Sequence, residues 1–196
     1  MKKITLISDF GCPFCYRQHL AFAKLKKNNL AVELEPVPFM LRSETPMEGR
    51  AFSPEEVETY TKQLKVLEAE DPLFEKVHFA PLTHTYNTYM AHLCAQGAKK
   101  KGAYLPFALE IFKAYFERGE NIGKPEVLFP LYEKIGLDPT ETMTLVHADE
   151  MRALIHQGFK LSQAHQIHTV PTLYLEQEDR LIPHSTSYEE LENIVK

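Results

Sequence analysis

Two kinds of hydrophobic pattern run along the chain, and their order outlines a fold. Lys3 to Asp9 is short, mostly apolar and partly β-branched, as a buried strand is. Tyr16 to Lys27 follows with Leu20, Phe22, Ala23 and Leu25 among its apolar helical positions, and Leu30 to Val37 alternates in period two. A helix of that length between two strands makes a right-handed crossover, which predicts that the strands are parallel.

After Pro38 the helical pattern takes over completely. Ser53-Pro54-Glu55-Glu56 reads as a capping box with proline in the first turn, opening a helix toward Leu67. Helical spacing recurs over Tyr86–Lys101, Pro106–Arg118, Pro125–Ile135 and Pro139–Val146, and from about Asp149 to His165. Asp138 and Glu141 repeat the capping arrangement, and Gly119 and Gly136 stand where helices end. Strand character returns at Pro171–Leu175, turns through Gln177-Glu178-Asp179 and continues as Arg180–Ile182, a hairpin. Ser187-Tyr188-Glu189-Glu190 caps a last helix to Val195.

Strands near both ends of the chain make one sheet only if the helical stretch is inserted between them. The predicted fold class is therefore α/β, with residues 1–45 and 150–196 forming one domain and residues 46–149 an all-helical insertion.

Composition narrows the function. The 196 residues are 44% hydrophobic and 25% charged, the mixture of an ordinary globular protein. With 22 Lys+Arg against 27 Asp+Glu the formal charge is -5, so nothing draws the chain generally toward nucleic acid or anionic lipid. The apolar run after Lys2-Lys3 breaks at Ser8-Asp9, short of the roughly 7–15 residues of a secretory core. We therefore expect a mature amino terminus and a cytoplasmic protein. Three cysteines are too few for a disulfide framework, and in a reducing compartment any disulfide is expected to be chemical rather than structural.

Cys12-Pro13-Phe14-Cys15 carries the candidate chemistry. Two cysteines separated by two residues on a helix's first turn are close enough to close a small disulfide, and Pro13 suits that turn because its missing N–H costs nothing there. Cys12 would sit where unpaired N–H groups and the helix dipole favour a thiolate, the attacking form. Cys15, one turn deeper, is the natural resolving thiol, and Phe14 adds bulk without charge, predicting a less oxidising couple than histidine would give. A zinc site would need about four ligands, and only Cys94 and scattered histidines remain, so no metal is expected.

Thr169-Val170-Pro171-Thr172 leads into the third strand. Pro171 is a candidate cis residue, and beside the cysteine pair the backbone of Val170 would be open to an extended substrate segment. Asp9 is read first as a cap or loop-satisfying carboxylate, with proton relay as the lesser role. Cys94 is read as a buried structural cysteine, His165 and His168 as loop residues, Tyr115-Phe116 as core, and Lys99-Lys100-Lys101 as a solvated helix end.

Taken together, these motifs resemble the DsbA-like branch of the thioredoxin superfamily, and within it the FrnE group. The stretches that carry the likeness are Asp9 to Cys15, Asn87-Thr88 with Ala91-His92, Phe112 to Val127, Gly136 to Pro139, Val170-Pro171-Thr172 and Tyr188 to Leu191. The resemblance implies a thioredoxin-like fold with a large helical insertion and a thiol-disulfide oxidoreductase or disulfide isomerase. In that reading Cys12 is the nucleophile, Cys15 its resolving partner, Pro171 the cis residue, and Pro13, Phe14, Thr169 and Val170 the substrate-facing surroundings. It implies no organic cofactor, with glutathione a conceivable co-substrate and client proteins or small thiols as partners. Related glutathione-dependent isomerases, similar to 2-hydroxychromene-2-carboxylate isomerase and kappa-class glutathione transferase, usually carry serine where this chain has Cys12. The alternatives are such an isomerase and a noncatalytic adaptor. Threonine at 169, where glycine is frequent, sets this chain's loop apart.

Overall fold

The computed structural model of the chain describes residues 2–146 and 149–196. Met1, which opens the expected amino-terminal portion, and His147 and Ala148, at the end of the expected insertion, lie outside the described residues. The main sheet has four strands in the order β2, β1, β5, β6: β1 is Lys2–Ser8, β2 Val32–Pro38, β5 Thr172–Leu175 and β6 Arg180–Ile182. β1 and β2 pair in parallel with Ile4 opposite Leu34, whereas β5 lies antiparallel on the other side of β1 with Leu6 opposite Leu173, and β6 completes the hairpin. Helix α1 (Pro13–Lys27) makes the crossover.

The central strand explains the run of apolar residues at the amino terminus, since Ile4, Leu6 and Ile7 are wholly buried. Ile4, Leu6, Leu173 and Leu175 pack on Ala21, Phe22 and Leu25 of α1 and on Leu191 of α8 (Tyr188–Val195). Gln18 of α1 fixes the chain before α8: its side-chain oxygen accepts the Thr186 N–H at 2.8 Å and its amide donates to the Thr186 hydroxyl. Of the three predicted capping arrangements, Ser53 with Glu56 and Ser187 with Glu190 form full capping boxes, and Asp138 accepts the Glu141 N–H at 3.0 Å.

Between β2 and β5 come α2 (Pro54–Glu70), α3 (Tyr89–Lys100), α4 (Tyr104–Phe112), α5 (Pro125–Lys134), α6 (Pro139–Val146) and α7 (Asp149–Ala164). This segment is not purely helical, which corrects the expectation. Arg50–Ala51 (β3) and His84–Thr85 (β4) form a two-stranded antiparallel ribbon. Residues expected to continue α4 change to a π-helical turn over Lys113–Glu117, and α3 begins at Tyr89 rather than Tyr86. Strands of two residues leave no periodicity to read, and a π turn keeps nearly the same apolar spacing as the helix before it.

A second core fills the space between this segment and α1. Tyr16 of α1 stacks on Phe112 at 5.0 Å between ring centroids, and Phe10 lies 5.0 Å from the same ring. Cys12 and Cys15 belong to this cluster, so the helical segment packs directly behind the cysteine pair. The sequence-predicted core residues Tyr115 and Phe116 are buried there. Lys100 and Lys101 are exposed, as expected of a solvated helix end, and Lys99 is half-buried; the three pair with Glu150, Glu141 and Glu35 respectively. No helix among the described residues is long and apolar enough to cross a membrane.

Candidate active site

β1 ends at Ser8 and a three-residue loop, Asp9-Phe10-Gly11, delivers the chain to Cys12, the residue that caps α1 with extended backbone (φ -111°, ψ 119°). Pro13 occupies the first helical position, where no N–H is missed. Cys15 and Tyr16 both donate their N–H to the Cys12 carbonyl, closing the first turn. The two cysteines thus occupy the same turn, Cys12 at the cap with 6% of its surface exposed and Cys15 completely buried.

Their thiols are set apart electrostatically. The hydrogen bond from the Cys15 side chain, helped by the N–H groups of Cys15 and Phe14, holds the Cys12 thiol below its ordinary value of 9.0, against burial and the Asp9 carboxylate. Burial, followed by the shared hydrogen bond and charge of Cys12, pushes Cys15 well above 9.0. One thiol is disposed to ionise and its neighbour to keep its proton. The Asp9 N–H donates to the Cys15 sulfur at 3.5 Å.

The loop before β5 completes the arrangement. The Val170–Pro171 peptide bond is cis, and the Val170 carbonyl accepts from the Cys12 thiol at 3.5 Å. Pro171 is buried and Val170 half-buried. Thr169 is exposed; its hydroxyl donates to the Pro183 carbonyl and its own carbonyl accepts from Thr172. Phe14 projects outward with 45% of its surface exposed. The fold therefore brings Cys12, Cys15, Val170 and Pro171 together, with Pro13 and Phe14 on the same turn and Thr169 one residue beyond. Neither His165, whose ring lies 4.7 Å from that of Tyr174, nor exposed His168 has a recorded hydrogen bond to the cysteines.

Asp9 acts as a loop organiser. Its carboxylate accepts N–H groups from Gly11 at 3.2 Å and Leu41 at 2.7 Å. Burial alone would raise its pKa, but hydrogen bonding to His92, the His92 charge and the Leu41 N–H outweigh it and hold the carboxyl below 3.8. His92 of α3 lies 3.6 Å from that carboxylate and donates Nε2–H to the Phe39 carbonyl at 2.9 Å. Sequence reasoning missed Phe39, Leu41 and His92 as neighbours of the site; the one hint was that Ala91-His92 belongs to the stretches carrying the family likeness.

A second buried histidine braces the turn from behind. His19 Nδ1–H donates to the Cys15 carbonyl at 2.7 Å, which leaves Nε2 as acceptor for the Tyr104 hydroxyl at 3.1 Å. Burial holds its pKa down to about 4, in keeping with a neutral ring. Cys94 is fully buried, with its thiol pushed up to about 12, as suits a structural cysteine. Among the described residues, no group of three or more histidine, cysteine or carboxylate side chains is placed to hold a metal.

Comparison with known proteins gives the chain a family and its fold a set of likenesses. The uncharacterized protein YwbO of Bacillus subtilis (strain 168) is 27% identical over 182 residues, 92% of this chain and 88% of its own. Among solved structures, the cytosolic disulfide reductase DsbM from Pseudomonas aeruginosa with GSH gives a TM-score of 0.69 at 14% identity, covering 92% of this chain and 89% of that one. A 2-hydroxychromene-2-carboxylate isomerase gives 0.73 at 17% identity over 98% and 93%, and oxidised BdbD from Bacillus subtilis 0.60 at 15% over 98% and 84%. At these identities the structural likeness concerns the fold. The family description "DSBA-like thioredoxin domain" matches residues 3–196, from the first strand to the last helix, and the chain belongs to that family.

Proposed function

We propose that the protein is a thiol-disulfide oxidoreductase working through the Cys12/Cys15 dithiol, with client disulfides or small thiols as substrates and the cytoplasm as its compartment. The observation that carries this reading is the split between the thiols: Cys12 is held below the ordinary thiol pKa at the cap of α1, 3.5 Å from the Val170 carbonyl, with buried Cys15 behind it.

In the reducing direction the Cys12 thiolate attacks one sulfur of a client disulfide. That S–S bond breaks, a mixed disulfide forms on Cys12, and the first client sulfur leaves as thiolate. Cys15 then loses its proton and attacks the Cys12 sulfur. The second client thiolate departs, the client has gained two electrons, and Cys12–Cys15 is left as a disulfide for an external dithiol or glutathione to reduce. Isomerisation uses the first step alone, followed by return of a different client thiolate onto the mixed disulfide. The dithiol supplies all of the chemistry, and neither a metal nor an organic cofactor enters.

Phe14 on the cysteine turn and Leu41 beside its loop are exposed apolar side chains, which favours a disulfide presented on a protein or peptide. The test is an insulin-reduction and scrambled-ribonuclease assay on the wild type, Cys12→Ser and Cys15→Ala. Activity lost with Cys12→Ser, and mixed disulfides accumulating with Cys15→Ala, support the proposal. Full activity in Cys12→Ser rejects it, and partner binding without any turnover in the wild type would leave the adaptor reading.

A further inference from the structure

At the opposite end of α1 from Cys12, roughly 20 Å away at 1.5 Å per helical residue, a groove of about 540 Å³ opens between α1, the start of β2 and the turn from α3 into α4. Its apolar walls are Phe22, Leu30, Val32, Leu34, Leu105 and Pro106. Sites that enclose small organic ligands span roughly 300–1,000 Å³, so the groove is large enough for one. Nothing in the thiol chemistry uses it.

Charge indicates what fits. The chain as a whole carries -5, yet the charged side chains lining this groove are Lys26 and Lys99, and no carboxylate lines it. Alternation along β2 sends Glu33 and Glu35 to the face away from Val32 and Leu34. Glu35 neutralises Lys99 in an ion pair. Lys26, exposed on the last turn of α1, has no ion-pair partner among the described residues, which leaves one uncompensated ammonium at the rim of an apolar trough. A further β-strand is a poor occupant, because Pro36 and Pro38 interrupt the row of donors along β2.

We propose that this groove binds a small amphipathic carboxylate, its apolar body against Phe22, Leu34 and Leu105 and its carboxylate on Lys26. The apolar walls supply affinity and the ammonium supplies the sign preference, since a charge-assisted hydrogen bond is the stronger kind. The site is independent of the cysteine pair, so its fate and that of the redox reading are separable.

Calorimetric titration of the full-length reduced protein with decanoate, decylamine and decanol, each below its micellar range, tests this. The expected result is saturable single-site binding of decanoate, with decylamine and decanol at least about tenfold weaker, a factor worth ~1.4 kcal/mol. Lys26→Glu and Pro106→Glu, both at exposed positions, should each weaken decanoate about tenfold or more, and Cys12→Ser should bind it as the wild type does. The proposal is overturned if decanoate shows no saturable binding, if decylamine binds equally well, or if both groove variants keep wild-type affinity. Amide shifts confined to residues away from Leu30–Leu34 and Leu105 would overturn it equally.

Discussion

The Cys12 thiol lies 3.5 Å from the carbonyl oxygen of Val170, a residue 158 positions further along the chain. This contact joins the cap of α1 to the loop before β5. A client strand pairing with the Val170 backbone, as the proposed function requires, would thereby be led past the Cys12 sulfur.

Because Cys12 is held below 9.0 and Cys15 well above it, iodoacetamide should discriminate between them. The rate at Cys12 should rise with pH as its thiolate forms, with its midpoint below pH 9, while Cys15 and Cys94 stay unmodified in the native protein. Peptide mapping by mass spectrometry after a short pulse checks this. Equal labelling of Cys12 and Cys15 would contradict it.

Replacing Asp9 by asparagine removes a negative charge that raises the Cys12 pKa, so the alkylation midpoint should move to lower pH. The substitution also weakens the acceptor for the Gly11 and Leu41 N–H groups and should cost about 1–3 kcal/mol in urea unfolding. The folded-state pKa of Asp9 is depressed. Its stabilising contribution is thus fully present above 3.8 and lost as pH falls through the lower folded value, a dependence the variant should lack.

His19 titrates with the opposite sign of charge in a separate window. Between pH 6.5 and about 4 the unfolded chain takes up a proton that the folded chain refuses, so stability should decline as pH drops across that range, by on the order of 3 kcal/mol in all. His19→Gln should flatten the decline. Urea midpoints measured at pH steps between 7 and 4 would reveal it, and an unchanged slope would show that His19 is not the group responsible.

Gly158 of α7 lies against β2 so closely that a Cβ there would stand 2.9 Å from the Pro38 carbonyl oxygen and 3.2 Å from Val37 Cγ1. Alanine gains about 1 kcal/mol of helix propensity, but pushing a helix off a strand backbone costs roughly 1–3 kcal/mol. Gly158→Ala should therefore lose about 1 kcal/mol net, read as a lower urea midpoint at unchanged slope. A stabilised variant would mean that α7 gives way freely.

Gln18 is fully buried with its amide spent on Thr186 and Ser185. Truncation to alanine leaves the Thr186 N–H without a partner inside the fold and should destabilise by about 1–3 kcal/mol. Differential hydrogen exchange should localise the loss to the Thr186 amide and the start of α8. Uniform change across the protein would argue against a local role.

The parts of the site that are contiguous in sequence were legible in it. Cys12-Pro13-Phe14-Cys15 announces a helix cap because proline, the cysteine spacing and the preceding apolar strand all act within one turn. Pro171 announces itself at the head of a strand. The collar around Asp9 was not legible, because Phe39, Leu41 and His92 reach it from two other segments and none carries a local signature. Asp9's hydrogen bonds to Gly11 and Leu41 are those of the loop-satisfying carboxylate that its position suggested first. The capping boxes at Ser53 and Ser187 were readable, since both partners lie within one turn, while the ribbon of β3 and β4 joins residues 33 and 35 positions apart.

The central strand β1 takes β2 as one neighbour almost at once, but its other neighbour, β5, belongs to the last 25 residues of the 196. During synthesis, Cys12 leaves the ribosome long before Val170 exists to meet it. Until the carboxy-terminal hairpin docks, β1 has an open edge and the nucleophile lacks the backbone beside which a client would lie. The proposed reactive centre is assembled only when the segment around Val170 docks, so a polypeptide cut short before residue 170 would carry both cysteines without the loop that meets Cys12.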